Sequence, residues 1–272
     1  MQARFATARD GLRIAYEVHG FGEAALVFVH GWTCSRSFWR EQVDEFSRSH
    51  RVVAIDLGGH GDSGTGRTNW TMQGFGEDVA AVLEAERLSN VVLAGHSMGG
   101  KVIVEAAHLA RDRVKAIVGV DTFKSLRQVT SPEARARRMR RFEDDYESTA
   151  REFIASMFVD GTDPGLVHWV TTAMMRTPRE VAIGAMTDLQ ATDPAFERVR
   201  ALHLPKVLIN SDYRPTDRAA AADAGFEFML MPKVGHFVMM EEPATFNRLL
   251  REALARIPAA SALSSSPSSP AL

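Results

Sequence analysis

Short unbroken runs of apolar residues recur along the chain: Ala24-Ala25-Leu26-Val27-Phe28-Val29, Val52-Val53-Ala54-Ile55 and Val91-Val92-Leu93-Ala94. A strand with one wet face alternates apolar and polar residues. Runs without alternation therefore predict parallel strands covered on both faces. Val114 to Val120, Val207-Leu208-Ile209 and Phe226 to Met231 extend the series, and Leu12 to Val18 alternates like a half-buried strand. Helical stripes lie between these runs: Trp39, Val43 and Phe46; Phe75, Val79, Val82 and Leu83; Met98, Val102, Ala106 and Leu109; and Phe246, Leu249, Leu250, Ala253 and Ile257. Strand and helix periods that alternate in this way define an α/β chain whose helices cover a mostly parallel sheet.

One stretch breaks the alternation. From about Thr122 to Asp193 no strand is legible, and the apolar residues fall on three helical faces: Met139, Phe142, Tyr146, Phe153 and Met157; Leu166, Val170 and Met174; and Ala182, Met186 and Leu189. It reads as a helical cap over 122–193 inserted into a core formed by 1–121 and 194–257. Arg135, Arg137, Arg138, Arg140 and Arg141 are followed by Glu143, Asp144, Asp145 and Glu147, so this charge run reads as a solvated helix face. The Pro, Ala and Ser of 258–272 cannot bury enough surface to order themselves, and a disordered tail is expected there.

Composition narrows the partners. With 32 basic against 34 acidic side chains in 272 residues, the chain lacks the cationic excess that phosphate binding needs, so no nucleic-acid partner is expected. No window reaches the roughly 18 apolar residues needed to span a bilayer, so membrane insertion is not expected either. The first ten residues carry no apolar segment of a secretory signal, and the single cysteine, Cys34, has no partner thiol. A cytoplasmic setting is the expectation. No metal-ligand spacing joins the histidines, and no metal or cofactor is expected. Nothing in the sequence fixes an oligomeric state.

Three motifs carry chemistry. Gly95-His96-Ser97-Met98-Gly99 joins an apolar strand to an apolar helix, the context in which G-x-S-x-G holds a serine on a sharp strained turn. Ser97 is the candidate nucleophile. The Met98 N–H, first in the following helix, is placed to face developing negative charge, and Trp32 in His30-Gly31-Trp32 offers a second backbone donor for an oxyanion hole. The Trp32 ring is free to pack on the cap at the same time, since the donor is backbone. His236 in Val234-Gly235-His236-Phe237 follows the last strand and suits a base that arrives late in the chain. Asp56 to Ser63 is glycine-rich but lacks the lysine and hydroxyl of a phosphate loop, and reads as a tight structural turn.

Taken together, His30-Gly31-Trp32, Asp56 to Ser63, Gly95 to Gly100 and Gly235-His236-Phe237 resemble the α/β-hydrolase superfamily, in its order, from about Leu12 through Ile257. The resemblance implies an eight-stranded, mostly parallel sheet, a cap inserted after the sixth strand, and a Ser-His-acid triad. The acid departs from the common pattern. Arg214 stands where most members carry a carboxylate after the seventh strand, and a guanidinium has no lone pair to accept an imidazole proton. Asp212 and Asp217 flank it, but either would need the loop to shift. Asp121 ends the sixth strand, where certain lipases, haloalkane dehalogenases and a mycotoxin lactone hydrolase of the superfamily carry their acid. Asp121 is the preferred acid, with Asp212 as the alternative.

The expected activity is hydrolysis of a carboxylic ester or lactone through an acyl-enzyme. A serine at position 97 argues against the aspartate-nucleophile dehalogenases and epoxide hydrolases. The cap is rich in Met, Phe and Trp, and Met157, Phe158, Trp169 and Phe237 are the candidate contacts to a small hydrophobic ester or lactone, although such side chains also serve simply to pack cap on core. Two other functions stay open: a cofactor-independent oxygenase of the same fold using a His-Asp pair, and a ligand sensor on a hydrolase scaffold.

Overall fold

The unbroken apolar runs become the middle of one sheet in the computed structural model, which describes residues 3–128, 130–191 and 195–258. Its strands are β1 (Arg4–Thr7), β2 (Arg13–His19), β3 (Ala24–Val29), β4 (Arg51–Ile55), β5 (Ser89–His96), β6 (Val114–Val120), β7 (Lys206–Ser211) and β8 (Phe226–Met231). They lie in the order β1-β2-β4-β3-β5-β6-β7-β8, antiparallel at the β1 and β2 edge and parallel from β4 onward. In β3, every residue from Ala25 to Val29 is buried, as required of a strand with helices on both faces. The first strand is the one that apolar patterning could not announce. Only Ala6 of β1 is buried, so β1 is held by its ladder to β2 rather than by a hydrophobic face.

The helices are α1 (Arg40–Phe46), α2 (Met72–Ala85), α3 (Met98–Leu109), α4 (Pro132–Asp144), α5 (Tyr146–Ala155), α6 (Pro164–Met174), α7 (Arg179–Ala191), α8 (Ala195–Arg200), α9 (Arg218–Asp223), α10 (Val238–Glu241) and α11 (Pro243–Arg256). Their starts follow capping chemistry. Thr71, Ser131, Asp145 and Asp163 each accept an N–H of the first turn of α2, α4, α5 and α6, and Pro132 and Pro164 open two of these helices. Leu109, read as part of the α3 stripe, is 49% exposed and is the last residue of that helix.

Helices α4 to α7 are inserted between β6 and β7, and no strand interrupts them among the described residues. The insertion is tied to the core at named points. The Trp32 indole N–H donates to Ala182 O at 2.8 Å while its ring meets Phe142 and Phe153 edge-on, the Thr177 hydroxyl donates to Thr33 O, and the Met72 N–H donates to Asp188. Residue 193, the expected end of the cap, and the expected tail beyond Pro258 lie outside the described residues. Among the described residues no helix is long and apolar enough to cross a membrane.

Close backbone approach at the centre of the sheet sets a steric limit beside the serine turn. A Cβ on Gly95 would sit 2.3 Å from Gly99 O, and one on Gly99 would sit 2.6 Å from Val29 O, so neither position has room for a methyl group. Gly95→Ala is expected to lower stability by about 1–3 kcal/mol or more through overpacking against rigid backbone. Thermal unfolding checks this, and a parental Tm would contradict it.

Candidate active site

The β5 to α3 connection presents Ser97. Its backbone sits at φ 53° and ψ −116°, a region costly for a residue with a Cβ, and three bonds hold it there. Ser97 N–H donates to Val120 O at 3.0 Å, while Ser97 O accepts from Gly100 N–H and from the Thr122 hydroxyl. The half-buried serine opens onto a cavity of about 630 Å³ that is also lined by His236, Asp121, Trp32 and Met98. The Met98 amide is the first of α3 and the Trp32 amide follows Gly31. Among the described residues, neither donates to a protein acceptor.

His236 is fixed from several directions. Its N–H donates to Met157 O at 2.8 Å, and its carbonyl accepts from His96 Nε2 at 3.0 Å. The flanking amides of Gly235 and Phe237 both donate to Glu241, at 2.8 and 3.0 Å. The ring Nδ1–H donates to Asp121 Oδ2 at 2.6 Å, which leaves Nε2 as the nitrogen able to accept a proton. Asp121 follows β6 with a φ of 43°, and its N–H continues the ladder to Ile209 O. Its second oxygen, Oδ1, accepts from the Ser211 N–H at 2.8 Å, the Ser211 hydroxyl at 2.7 Å and the Lys124 ammonium at 2.9 Å.

Burial by itself would raise the Asp121 pKa. The hydrogen bond and charge of His236, together with the charge of Lys124, outweigh it and lower the value to about 2. Burial also lowers the pKa of Lys124, against the pull of Asp121. The two other carboxylates weighed from sequence point elsewhere. Asp212 is exposed and accepts the Lys233 N–H, and Asp217 caps α9 through the Ala220 N–H. Arg214 lines the cavity rim.

The remaining histidines near the site are core residues held neutral by burial. His30 accepts the Leu57 N–H and its pKa falls to about 4; those of His60 and His96 fall to about 3. The loop from Asp56 to Ser63 turns about the buried Asp56 carboxylate, which accepts the N–H groups of Arg36 and Asp62 and pairs with the Arg36 guanidinium. Among the described residues no group of His, Cys, Asp or Glu is arranged to hold a metal ion.

Of the four residues expected to contact substrate, Met157 and Phe237 line the cavity. Trp169 does not. It packs on Phe38 at 5.0 Å with Arg40 over its ring and borders a second cavity on the other side of the Thr33 and Cys34 segment. Phe158 stacks on Phe237 at 5.3 Å, behind the cavity wall. Phe153, Met174 and Met186 take their places in the lining. The arginine cluster also divides. Arg137, Arg140 and Arg141 are exposed, the last paired with Glu152, whereas Arg135 and Arg138, three residues apart on one helix face, line the cavity. Sequence reasoning missed Lys124, Ser211 and Glu241. None belongs to a motif, and only the folded chain brings them to Asp121 and to the His236 loop.

The alpha/beta hydrolase family model matches residues 26–249, and the chain belongs to that family. A Bacillus subtilis protein provisionally named 2-succinyl-6-hydroxy-2,4-cyclohexadiene-1-carboxylate synthase is 26% identical, with the match covering 92% of this chain and 98% of the relative. Among solved structures, a thermophilic esterase from Thermogutta terrifontis is 25% identical with a TM-score of 0.83, covering 94% of this chain and 99% of its own. An enol-lactonase from Burkholderia xenovorans shares the fold at a TM-score of 0.81 and 19% identity, over 93% of this chain and 100% of its own.

The Lys124 contact gives a pH-dependent expectation. Because the folded Asp121 pKa lies below its unfolded value, the linked stability is present above the ordinary carboxylate pKa and is lost as pH falls toward 2. Lys124→Met removes one of the cations that depress it. The variant should therefore lose less stability than the parent between neutral pH and pH 2. Denaturant unfolding at both pH values measures the difference, and an unchanged difference would refute the role given to Lys124.

Proposed function

We propose that this chain is a serine hydrolase that cleaves a carboxylic ester or lactone bearing a hydrophobic group, with Ser97 as nucleophile, His236 as base and Asp121 as the acid of the triad. The observation that carries the reading is the 2.6 Å bond from His236 Nδ1 to Asp121, on the same cavity as a serine held at positive φ on the N-terminus of α3.

In this reading the Ser97 hydroxyl attacks the carbonyl carbon as its proton passes to His236 Nε2, and Asp121 stabilises the imidazolium formed. The negative charge moves to the carbonyl oxygen, where the Met98 and Trp32 amides can donate to it without reorganising. Collapse of the tetrahedral species expels the alcohol, which takes the proton from His236. Water then repeats the sequence on the acyl-enzyme and releases the acid. Met157, Phe237, Phe153, Met174 and Met186 supply apolar wall for the organic part of the substrate. A lactone differs only in that its alcohol stays tethered to the acyl group. A cytoplasmic setting belongs to the same proposal and is supported by the single cysteine, Cys34, which is buried and unpaired.

Release of p-nitrophenol from short-chain esters tests the scheme. A burst followed by steady turnover is expected for the parent, with release abolished in Ser97→Ala. Substantial turnover retained by Ser97→Ala would favour the oxygenase reading, in which the serine only assists, and tight ligand binding without turnover would favour a sensor.

The acid assignment has its own test. Asp121→Asn should lower kcat by about 10⁴, as for the acid of a triad on another fold, while Asp212→Asn should stay near parental activity. The reverse pattern would transfer the role to Asp212.

A further inference from the structure

The cavity is charged as well as apolar. Lys101, Lys124, Arg135, Arg138 and Arg214 line it against a single carboxylate among the described residues, Asp121. The whole chain carries a net charge of −2, so this excess is local to the site rather than a property of a basic protein. Asp121 offsets only one of these charges, that of Lys124, with which it pairs at 2.9 Å, and its other oxygen is engaged by His236.

The five cations are not equivalent. Lys124 donates to Asp121, Ser211 and Arg214 O, Lys101 donates to Leu189 O, and Arg135 donates to Gln190 O. Arg138 and Arg214 differ from these. Among the described residues neither guanidinium donates to an acceptor, and both are exposed at the cavity rim. The Arg214 guanidinium lies 5.2 Å from the Tyr213 ring, and that ring lies 6.0 Å from the ring of His236, which puts Arg214 at the catalytic end. Arg138 reaches the same cavity from α4. Cations focused in a cleft with low-dielectric walls attract anions, and a guanidinium fork fits a carboxylate in particular.

We propose that the substrate carries, in addition to its scissile carbonyl, a carboxylate on an aliphatic spacer, received by Arg138 and Arg214 at the rim while the spacer lies along Phe153, Met174 and Met186. This rests on the hydrolase reading above and names its substrate class. It also accounts for the residue that breaks the family pattern: an arginine at position 214 serves as an anion receptor where a triad acid is not needed, Asp121 having taken that role.

Two esters of equal acyl length test it, mono-p-nitrophenyl adipate and p-nitrophenyl hexanoate. At low salt the parent should prefer the adipate in kcat/KM by roughly tenfold or more, as for gain of a charge-assisted hydrogen bond, and the ratio should fall toward one in Arg138→Gln/Arg214→Gln. A parental ratio at or below one, or a ratio the double variant leaves unchanged, would overturn the proposal while leaving the hydrolase reading intact. Titration calorimetry on Ser97→Ala with adipate and with butyl phosphate gives a readout independent of turnover. Adipate binding weakened roughly tenfold or more by the two arginine changes would support the site even if no ester were cleaved. Absence of adipate binding, or binding of butyl phosphate alone, would overturn it. Thermal unfolding of the double variant confirms that it is folded for both measurements.

Discussion

The ends of β5 and β6 are fastened together, and the site depends on that junction. Ser97 N–H is bonded to Val120 O, the Thr122 hydroxyl is bonded back to Ser97 O, and the Asp121 N–H runs on to Ile209 O in β7. Two residues with positive φ, Ser97 at 53° and Asp121 at 43°, therefore sit on neighbouring strand ends in a region of backbone space that costs energy for a residue with a Cβ. Strain of this kind persists only where the surrounding structure over-determines it. Here the parallel ladder and the close contact of Gly95 with Gly99 do so.

Electrostatics follow from the same placement. A carboxylate at a buried strand end would ordinarily be driven toward its neutral form, but Asp121 has a donor for each oxygen, and the balance falls on the ionised side. The imidazole it holds is steadied by Glu241, which accepts the amides on either side of His236, and by His96, which donates to the His236 carbonyl. The insertion adds the Met157 carbonyl to this support and Arg135 and Arg138 to the cavity, so insertion and core build one site.

Much of this was legible before folding. The buried strands, the serine turn, the late histidine and the insertion all leave local signals, because apolar period and glycine placement are properties of contiguous residues. Asp121 was legible for the same reason, as a charge ending the apolar run of β6. The edge strand β1 was not, since one buried alanine makes no pattern. Nor could the cap aromatics be sorted. Trp169 in α6 and Met157, just past the end of α5, are both large apolar residues of the insertion, yet one packs on Phe38 beside a second cavity and the other lines the cavity of Ser97. Helical period tells which face is buried and says nothing about what it is buried against.

By itself, then, the amino-acid order determined an α/β sheet with a helical insertion, a serine on a strained turn, and a short set of candidate partners for it. Tertiary structure decided which carboxylate meets the imidazole, which cations face the cavity, and that Lys124, Ser211 and Glu241 belong to the site at all. The physical reason is range. Backbone conformation and amphipathic period are set over a few neighbouring residues, whereas Asp121 and His236 are 115 positions apart and meet only because β6, β7 and β8 lie side by side.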